Sequence, residues 1–255
     1  MKFKLNKFFK DDIENKNHPS DFEYKDDIGV LILRLPYIKN DKVEVVSYAF
    51  LIKEKNVYFF DRKKNDFELI GGFEKLYEFL DIRVDKILAK IVKLHSIIAE
   101  IEDLMYEEKI DKKFPQTYLR LKKDLVLIER LMGHALIAVE RFYKHYKLDL
   151  NELEFQDLIE HIQRSFSLSK NGIDKLDYLY DFYRARTDEK MNNIMFVLTL
   201  LSGIFLPLTL ITGFFGMNTG GLPLVNDPYG TVKAAVIGVI LEIPVVYFVW
   251  KMMKN

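Results

Sequence analysis

The sequence predicts an α+β cytoplasmic domain, a small sheet followed by long helices, that leads into a long stalk helix and a two-helix transmembrane hairpin. The chain as a whole is mostly α. Three observations predict this. Residues 28–70 alternate in polarity and are rich in β-branched and aromatic side chains, the pattern of half-buried strands. From Phe73 onward the apolar residues recur every three or four positions, the period of a helix. Residues 195–215 contain no charged side chain, and residues 231–250 form a second apolar run of similar length. A helix needs about 20 such residues to cross a ~30 Å hydrocarbon core.

The N-terminus, MKFKLNKFFKDDIEN, lacks the continuous apolar stretch and small-residue cleavage site of a signal peptide, so the first domain is expected to stay in the cytoplasm. The segments IGVLILRLPYI, VEVVSYAFLI, NVYFFD and FELI read as three or four strands of one sheet, with turns at Asn40-Asp41 and at residues 63–66. A first long helix is marked by Leu76, Phe79, Leu80, Val84, Ile87, Ile91, Leu94, Ile98, Ile101 and Met105. Pro115 opens a second, which ends near Lys147 and uses Leu119, Leu121, Leu125, Ile128, Leu131, Ala135, Val139 and Phe142 as its apolar positions. The third starts near Asn151. Phe155, Leu158, Ile162, Phe166, Ser169, Ile173, Leu176, Tyr180 and Tyr183 give it a heptad-like seam. Gly172 is its weak point, since Gly costs about 1 kcal/mol inside a helix, and is read as tolerated. The helix then runs from about residue 152 to 215, roughly 90–95 Å at 1.5 Å per residue.

The expected layout is a cytoplasmic domain over 1–150, a stalk over 151–194, spans over 195–215 and 231–250 joined by an outward loop over 216–230, and a cytoplasmic tail over 251–255. Arg184, Arg186 and Lys190 precede the first span, Lys251 and Lys254 follow the second, and the loop has no basic residue before Lys233. The positive-inside rule therefore puts both termini in the cytoplasm. A plain membrane anchor would carry the same hydropathy. Glu242 stands apart, because an intramembrane carboxylate is costly: it reads as protonated, as reaching toward the cytoplasmic interface or as paired with a group on the first span.

One face of the first span, Asn192, Met195, Thr199, Ser202, Leu206, Thr209 and Gly213, is smaller and more polar than the face carrying Phe196, Leu200, Leu201, Ile204 and Ile211. Hydroxyl and small residues there fit close helix packing, bonds back to the helix's own carbonyls, or the lining of a water-filled pore. Other chemistry is poorly represented. No cysteine is present, which excludes disulfides and thiolate chemistry. His18, His95, His134, His145 and His161 form no metal-binding spacing, and His134 is expected to be a hydrogen-bonded core histidine. No P-loop, dinucleotide fingerprint or nucleophile elbow occurs, so no enzyme is predicted and no enzymatic cofactor. The 38 basic residues balance 38 acidic ones, which gives no field for nucleic acid.

The string NNIMFVLTLLSGIFLPLTLITGFFGMN resembles the signature of the CorA metal-ion transporters, the two-span family with a GxN motif. The resemblance rests on the Asn192-to-Asn218 spacing, Met195, Leu198-Thr199, Phe205, Pro207, Thr209, Gly213 and the closing Gly216-Met217-Asn218. It is sharpest over residues 174–250. It implies a homopentamer in the inner membrane, with the stalk helices around the pore and Gly216, Met217 and Asn218 as the outer selectivity filter. It further implies passage of a hydrated divalent cation, Mg²⁺ foremost and also Co²⁺ or Ni²⁺, with Met195, Leu198 and Leu206 as hydrophobic constrictions. Asp157 and Asp181 fall where the family carries acids that bind intracellular Mg²⁺ between neighbouring domains. Each also reads as a solvated charge, and Asp157 as an i,i+4 partner of His161. The acidic run from Glu100 to Asp111 lies at the tip between the first two long helices and reads as solvated.

Three features depart from the family pattern: a short soluble domain, the sparse tail KMMKN, and a TGGLPL loop. The loop is more like that of the ZntB zinc-transport branch, so Zn²⁺ transport, with Glu242 in proton coupling, stands as the alternative. A membrane-anchored coiled-coil scaffold is the remaining one.

Overall fold

The computed structural model describes residues 3, 5–217, 221–224 and 226–254. The chain divides into two compact units, Met1–Asp181 and Phe182–Asn255.

The first unit holds α1 (Lys7–Glu14), a five-stranded sheet, and the long helices α2 (Phe73–Tyr106) and α3 (Phe114–Tyr146). The sheet is an antiparallel meander in the order β1 (Asp21–Lys25), β2 (Ile28–Lys39), β3 (Lys42–Lys53), β4 (Asn56–Asp61), β5 (Asp66–Gly71). Its first three hairpins close through two-residue turns with both residues at positive φ: Asp26-Asp27, Asn40-Asp41 and Glu54-Lys55. Mirror-image turns of this kind match the right-handed twist of the strands. The sheet begins earlier than expected. β1 is a charged edge strand whose buried side chain is Phe22, so its alternation carries little apolar signal.

Strand β2 is buried on both faces. Val30 and Ile32 pack with Ala49, Phe60 and the Phe9 and Ile13 side chains of α1. On the opposite face, Phe22 meets Phe142 of α3 and Phe50 meets Phe79 of α2, ring against edge. Asn6 starts α1 by accepting the Phe9 N–H at 2.8 Å. Each fully buried Phe or Leu in this core contributes about 1.5–3 kcal/mol.

Helix α4 runs without a break over Glu152–Phe215 and gives its first part to the first unit. Its buried residues there are Phe155, Leu158, Ile162, Ser165, Ser169, Gly172, Leu176 and Leu179. The seam therefore alternates steps of three and four but runs through Ser165, Gly172 and Leu179, not Phe166, Ile173 and Tyr180, which are half-buried at its rim. The closest approach between helices admits only small side chains, and the large ones flank it. A Cβ on Gly172 would lie 3.0 Å from Leu125 Cδ1 and 3.2 Å from His95 Nε2. Gly172 is thus set by packing. His95 is half-buried, with Nε2 at 2.9 Å from the Leu168 carbonyl oxygen, whereas His134 is exposed. Leu119, expected to be apolar core, is 64% exposed.

The second unit holds the rest of α4 and α5 (Gly230–Lys254). Both helices are long and apolar enough to cross a membrane by length and composition.

Candidate functional site: an open helix face and a carboxylate–histidine cluster

In the second unit α5 covers one side of α4. Leu200, Gly203, Ile204, Pro207, Leu208, Ile211 and Phe215 are half-buried. The contact is close because α5 presents small residues. A Cβ on Gly238 would come within 3.7 Å of Ile211 Cδ1 and 3.9 Å of Leu208 Cδ2, and one on Gly203 within 3.9 Å of Val245 Cγ1. At 3.6 residues per turn, the face carrying Asn192, Met195, Thr199, Ser202, Leu206, Thr209 and Gly213 lies on the far side from this contact. All of these residues, and Leu198, are exposed. Leu206 is 68% accessible, and a Cβ on Gly213 would meet nothing within 4 Å.

The hydroxyls of this region bond inward. Thr199 Oγ1 donates to the Met195 carbonyl oxygen at 2.8 Å, Ser202 Oγ to Leu198 at 2.9 Å and Thr209 Oγ1 to Phe205 at 2.7 Å. Each proton is used within the helix, so each oxygen faces outward as a hydrogen-bond acceptor. The face carries acceptors without a fixed charge. Gly216 N–H still bonds to the Thr212 carbonyl oxygen at 2.9 Å, and Met217 follows with 44% of its surface exposed. Asn218 lies outside the described residues.

In the loop, Leu224 takes a left-handed φ of 71° and its carbonyl oxygen would lie 1.9 Å from a Cβ on Gly230, so that position admits only glycine. Asp227 accepts the Tyr229 N–H at 2.9 Å and pairs with Lys233. The Lys233 ammonium, then the Tyr229 N–H, hold its carboxyl below the ordinary carboxylate range. The loop's one acid is thereby neutralised by a lysine. On α5, both carboxyl oxygens of Glu242 are buried and have no hydrogen-bond partner among the described residues.

Within the first unit, Asp181 is exposed on α4. Asp157 is also partly exposed, and its Oδ1 lies 3.7 Å from His161 Nε2. Asp81, on α2, joins them: one donor atom from each of Asp81, Asp157 and His161 falls within 4.8 Å of the others. Asp85 approaches the same ring, with Oδ1 at 3.4 Å from His161 Nδ1. Burial raises the Asp81 carboxyl above its ordinary value; Asp85 and Asp157 add to this and His161 opposes it. Asp81 and Asp85 escape a reading of the sequence because they precede Asp157 by some 70 residues, and only the packing of α2 on α4 brings them together. Of the acids at the α2–α3 tip, Glu102 pairs with Lys175 of α4 at 2.5 Å and Glu107 with Lys109 at 2.9 Å.

The family model for the CorA-like Mg²⁺ transporter protein matches residues 1–251. The chain belongs to this family. Among its CorA-like relatives, the cobalt/magnesium transport protein CorA of Thermotoga maritima is 31% identical over 178 residues, 68% of this chain and 50% of the relative. The zinc transport protein ZntB of Yersinia enterocolitica is 27% identical over 205 residues, 77% of this chain and 62% of the relative. The chain thus spans about half to three-fifths of the length of these curated relatives. In fold it is similar to the CorA magnesium transporter of Methanocaldococcus jannaschii, with a TM-score of 0.73 at 22% identity over 92% of this chain and 79% of that one.

Proposed function

We propose that this chain is a subunit of a homopentameric channel that passes divalent metal cations, Mg²⁺ first among them with Co²⁺ and Ni²⁺. The observation that carries this reading is the open face of α4. It is acid-free, it stands away from α5, and it offers acceptor oxygens from Thr199, Ser202 and Thr209. Mg²⁺ gives up its water shell reluctantly. The outside of that shell is made of water hydrogens, which need acceptors and not direct ligands. In this arrangement Asn192, Thr199, Ser202, Thr209 and Gly213 line the path, and Met195, Leu198 and Leu206 form constrictions that gate by dewetting. Gly216, Met217 and Asn218 form the outer filter. The layout follows: a cytoplasmic domain, the stalk, two spans of the inner membrane and a short outward loop, with both termini inside. Asp157 and Asp181 serve as regulatory acids.

Flux into liposomes loaded with an ion-sensitive dye tests the proposal. The wild-type chain is expected to raise Mg²⁺ entry above empty liposomes, and Asn218→Ala to alter it. If neither preparation exceeds empty liposomes, the channel reading is lost and a membrane-anchored scaffold takes its place.

A second reading, a ZntB-like Zn²⁺ transporter with proton coupling, is favoured by two observations. The identity to a zinc transport protein extends over more of the chain than that to CorA. Both oxygens of Glu242 on α5 are also buried without a hydrogen-bond partner among the described residues, where a proton carrier is of use. Competitive uptake of Mg²⁺, Co²⁺, Ni²⁺ and Zn²⁺ by one preparation separates the two.

A further inference from the structure

Glu242 lacks a counter-charge. Residues 195–215 carry no charged side chain, so the apolar run of α4 offers it none. The lysines of α5 nearest to it in sequence, Lys233 and Lys251, each stand nine residues away, about 13–14 Å along the helix. Lys233 is held by Asp227. Both carboxyl oxygens of Glu242 are buried, and neither has a hydrogen-bond partner among the described residues. A carboxyl group so placed is costly unless a partner meets it from outside the helix pair.

Beside Glu242 a groove of about 450 Å³ runs along α5, walled also by Val239, Ile243, Val246, Tyr247 and Trp250. That volume lies within the ~300–1,000 Å³ usual for small-molecule sites. Val239, Ile243, Val246 and Trp250 follow one another at steps of four, three and four, so they form one stripe of the helix. All five walls are exposed. At the C-terminal end of the groove the Tyr247 and Trp250 rings stand 6.3 Å apart and 32° from parallel. Lys251 is turned about 100° from Trp250, so its charge lies off the stripe.

We propose that this groove binds a lipophilic organic monocation, an ammonium or phosphonium with bulky apolar substituents, that enters from the surrounding apolar phase. Each part of such a ligand meets a matching part of the groove. Glu242 supplies the counter-charge. Tyr247 and Trp250 attract the cation through the negative faces of their rings. Val239, Ile243 and Val246 cover its apolar substituents. A hydrated divalent metal is a poor occupant, since it wants several oxygen ligands and the groove offers one carboxyl group. A zwitterionic lipid head fits less well too, because its phosphate finds no cationic side chain in the stripe. The carboxyl oxygens need not be exposed. In a low dielectric a charge acts over several ångström, and rotation of the side chain brings it closer. The inference rests on α5 lying in an apolar phase. It rests neither on which ion passes along α4 nor on a proton role for Glu242.

Trp250 is the chain's single tryptophan, so its fluorescence reports on this groove directly. The full-length protein in detergent is titrated with tetraphenylphosphonium and, in parallel, with tetraphenylborate, which has the same shape and the opposite charge. The phosphonium is expected to change the Trp250 signal along a saturable curve, and the borate to give only the linear change of partition into the micelle. Glu242→Gln is expected to remove the saturation. Tyr247→Leu is expected to weaken binding about 2–5-fold, the worth of one exposed cation–π contact. Equal curves for the two ions, saturation kept in Glu242→Gln, or undiminished affinity in Tyr247→Leu would each overturn the proposal. So would displacement of the phosphonium by phosphatidylethanolamine but not by phosphatidylglycerol, which assigns the groove to a lipid head group. The comparison of the two ions uses the wild-type chain and decides the matter even where a variant does not fold. A chain that shows no metal flux into liposomes yet keeps the saturable curve refutes the channel and leaves this site standing.

Discussion

Replacing Gly172 by Ala adds one methyl group where α4 passes closest to α2 and α3. In an isolated helix this exchange stabilises by about 1 kcal/mol. Here the new Cβ would lie 3.0 and 3.4 Å from the two Leu125 methyls and 3.2 Å from His95 Nε2. Leu125 is fully buried and has little room to retreat. His95 is held at 2.9 Å from the Leu168 carbonyl oxygen. Moving it loosens a hydrogen bond worth about 0.5–1.5 kcal/mol. Overpacking of this kind costs about 1–3 kcal/mol, the loosened bond being part of that cost. Subtracting the propensity gain leaves a net loss of about 0–2 kcal/mol. For a domain of this size, that lowers Tm by roughly 2–4 °C per kcal/mol. The assay is thermal unfolding of the full-length protein in detergent, followed by circular dichroism at a fixed scan rate. Adding Leu125→Ala, which clears the space, should make the double variant less unstable than the sum of the single ones. A rise in Tm for Gly172→Ala, or strict additivity in the double variant, would refute the claim that packing requires this glycine.

Thr209→Val keeps the shape of the side chain but removes its outward oxygen. It is expected to slow Mg²⁺ entry into liposomes by about 2–10-fold, the equivalent of one lost hydrogen bond of ~0.5–1.5 kcal/mol, with Tm unchanged; unaltered flux would remove Thr209 from the path. Replacing Glu242 by Gln is expected to flatten the pH dependence of uptake if the ZntB-like reading holds, and an unchanged profile sinks proton coupling through this residue. At Asp177, burial pushes the carboxyl up, but hydrogen bonds from Lys122 Nζ at 2.7 Å and Tyr118 Oη at 2.7 Å outweigh it and hold it below the ordinary carboxylate range. A depressed acid stabilises the fold above its unfolded pKa and loses that contribution as pH falls through the folded one. Asp177→Asn should therefore lower stability near neutrality by no more than ~1 kcal/mol, because the pair is partly exposed, and with it Tm, and shrink the drop seen between neutral and acid pH. Parallel pH profiles for the two proteins would contradict this.

Much of the fold was legible because it depends on local pattern. The change from period two to period 3.6 at Phe73 marks the end of the sheet, and β5 ends at Gly71. Asn40-Asp41 announces its turn, since Asn and Asp tolerate left-handed backbone. Glu54-Lys55 adopts the same pair of conformations without any such signal, imposed by the pairing of Lys53 with Asn56 across the hairpin. What stayed hidden was set by contact between distant segments. Ser165 and Ser169 are buried because the helices leave room only for small side chains, so the seam departs from the largest residues, on which a hydrophobic period relies. The Asp81–Asp157–His161 cluster follows from the same packing. For the open face of α4 the pattern named the residues, while the direction of their hydroxyl protons needed coordinates.

That direction bears on charge selection. Bonds from a hydroxyl to the carbonyl one turn back are an ordinary feature of apolar helices, and read alone they argue against a functional face. Combined with exposure they argue for one. Because the Thr199, Ser202 and Thr209 protons are committed inward, what faces outward is oxygen alone. A hydrated cation turns water hydrogens toward its surroundings and finds acceptors. A hydrated anion turns water oxygens outward and needs donors, which these side chains no longer supply. A path lined in this way favours cations without any carboxylate to bind them tightly. The soft donor on this face is the Met195 thioether, with no thiolate or imidazole beside it, so Zn²⁺ and Mg²⁺ would both be met chiefly as hydrated ions.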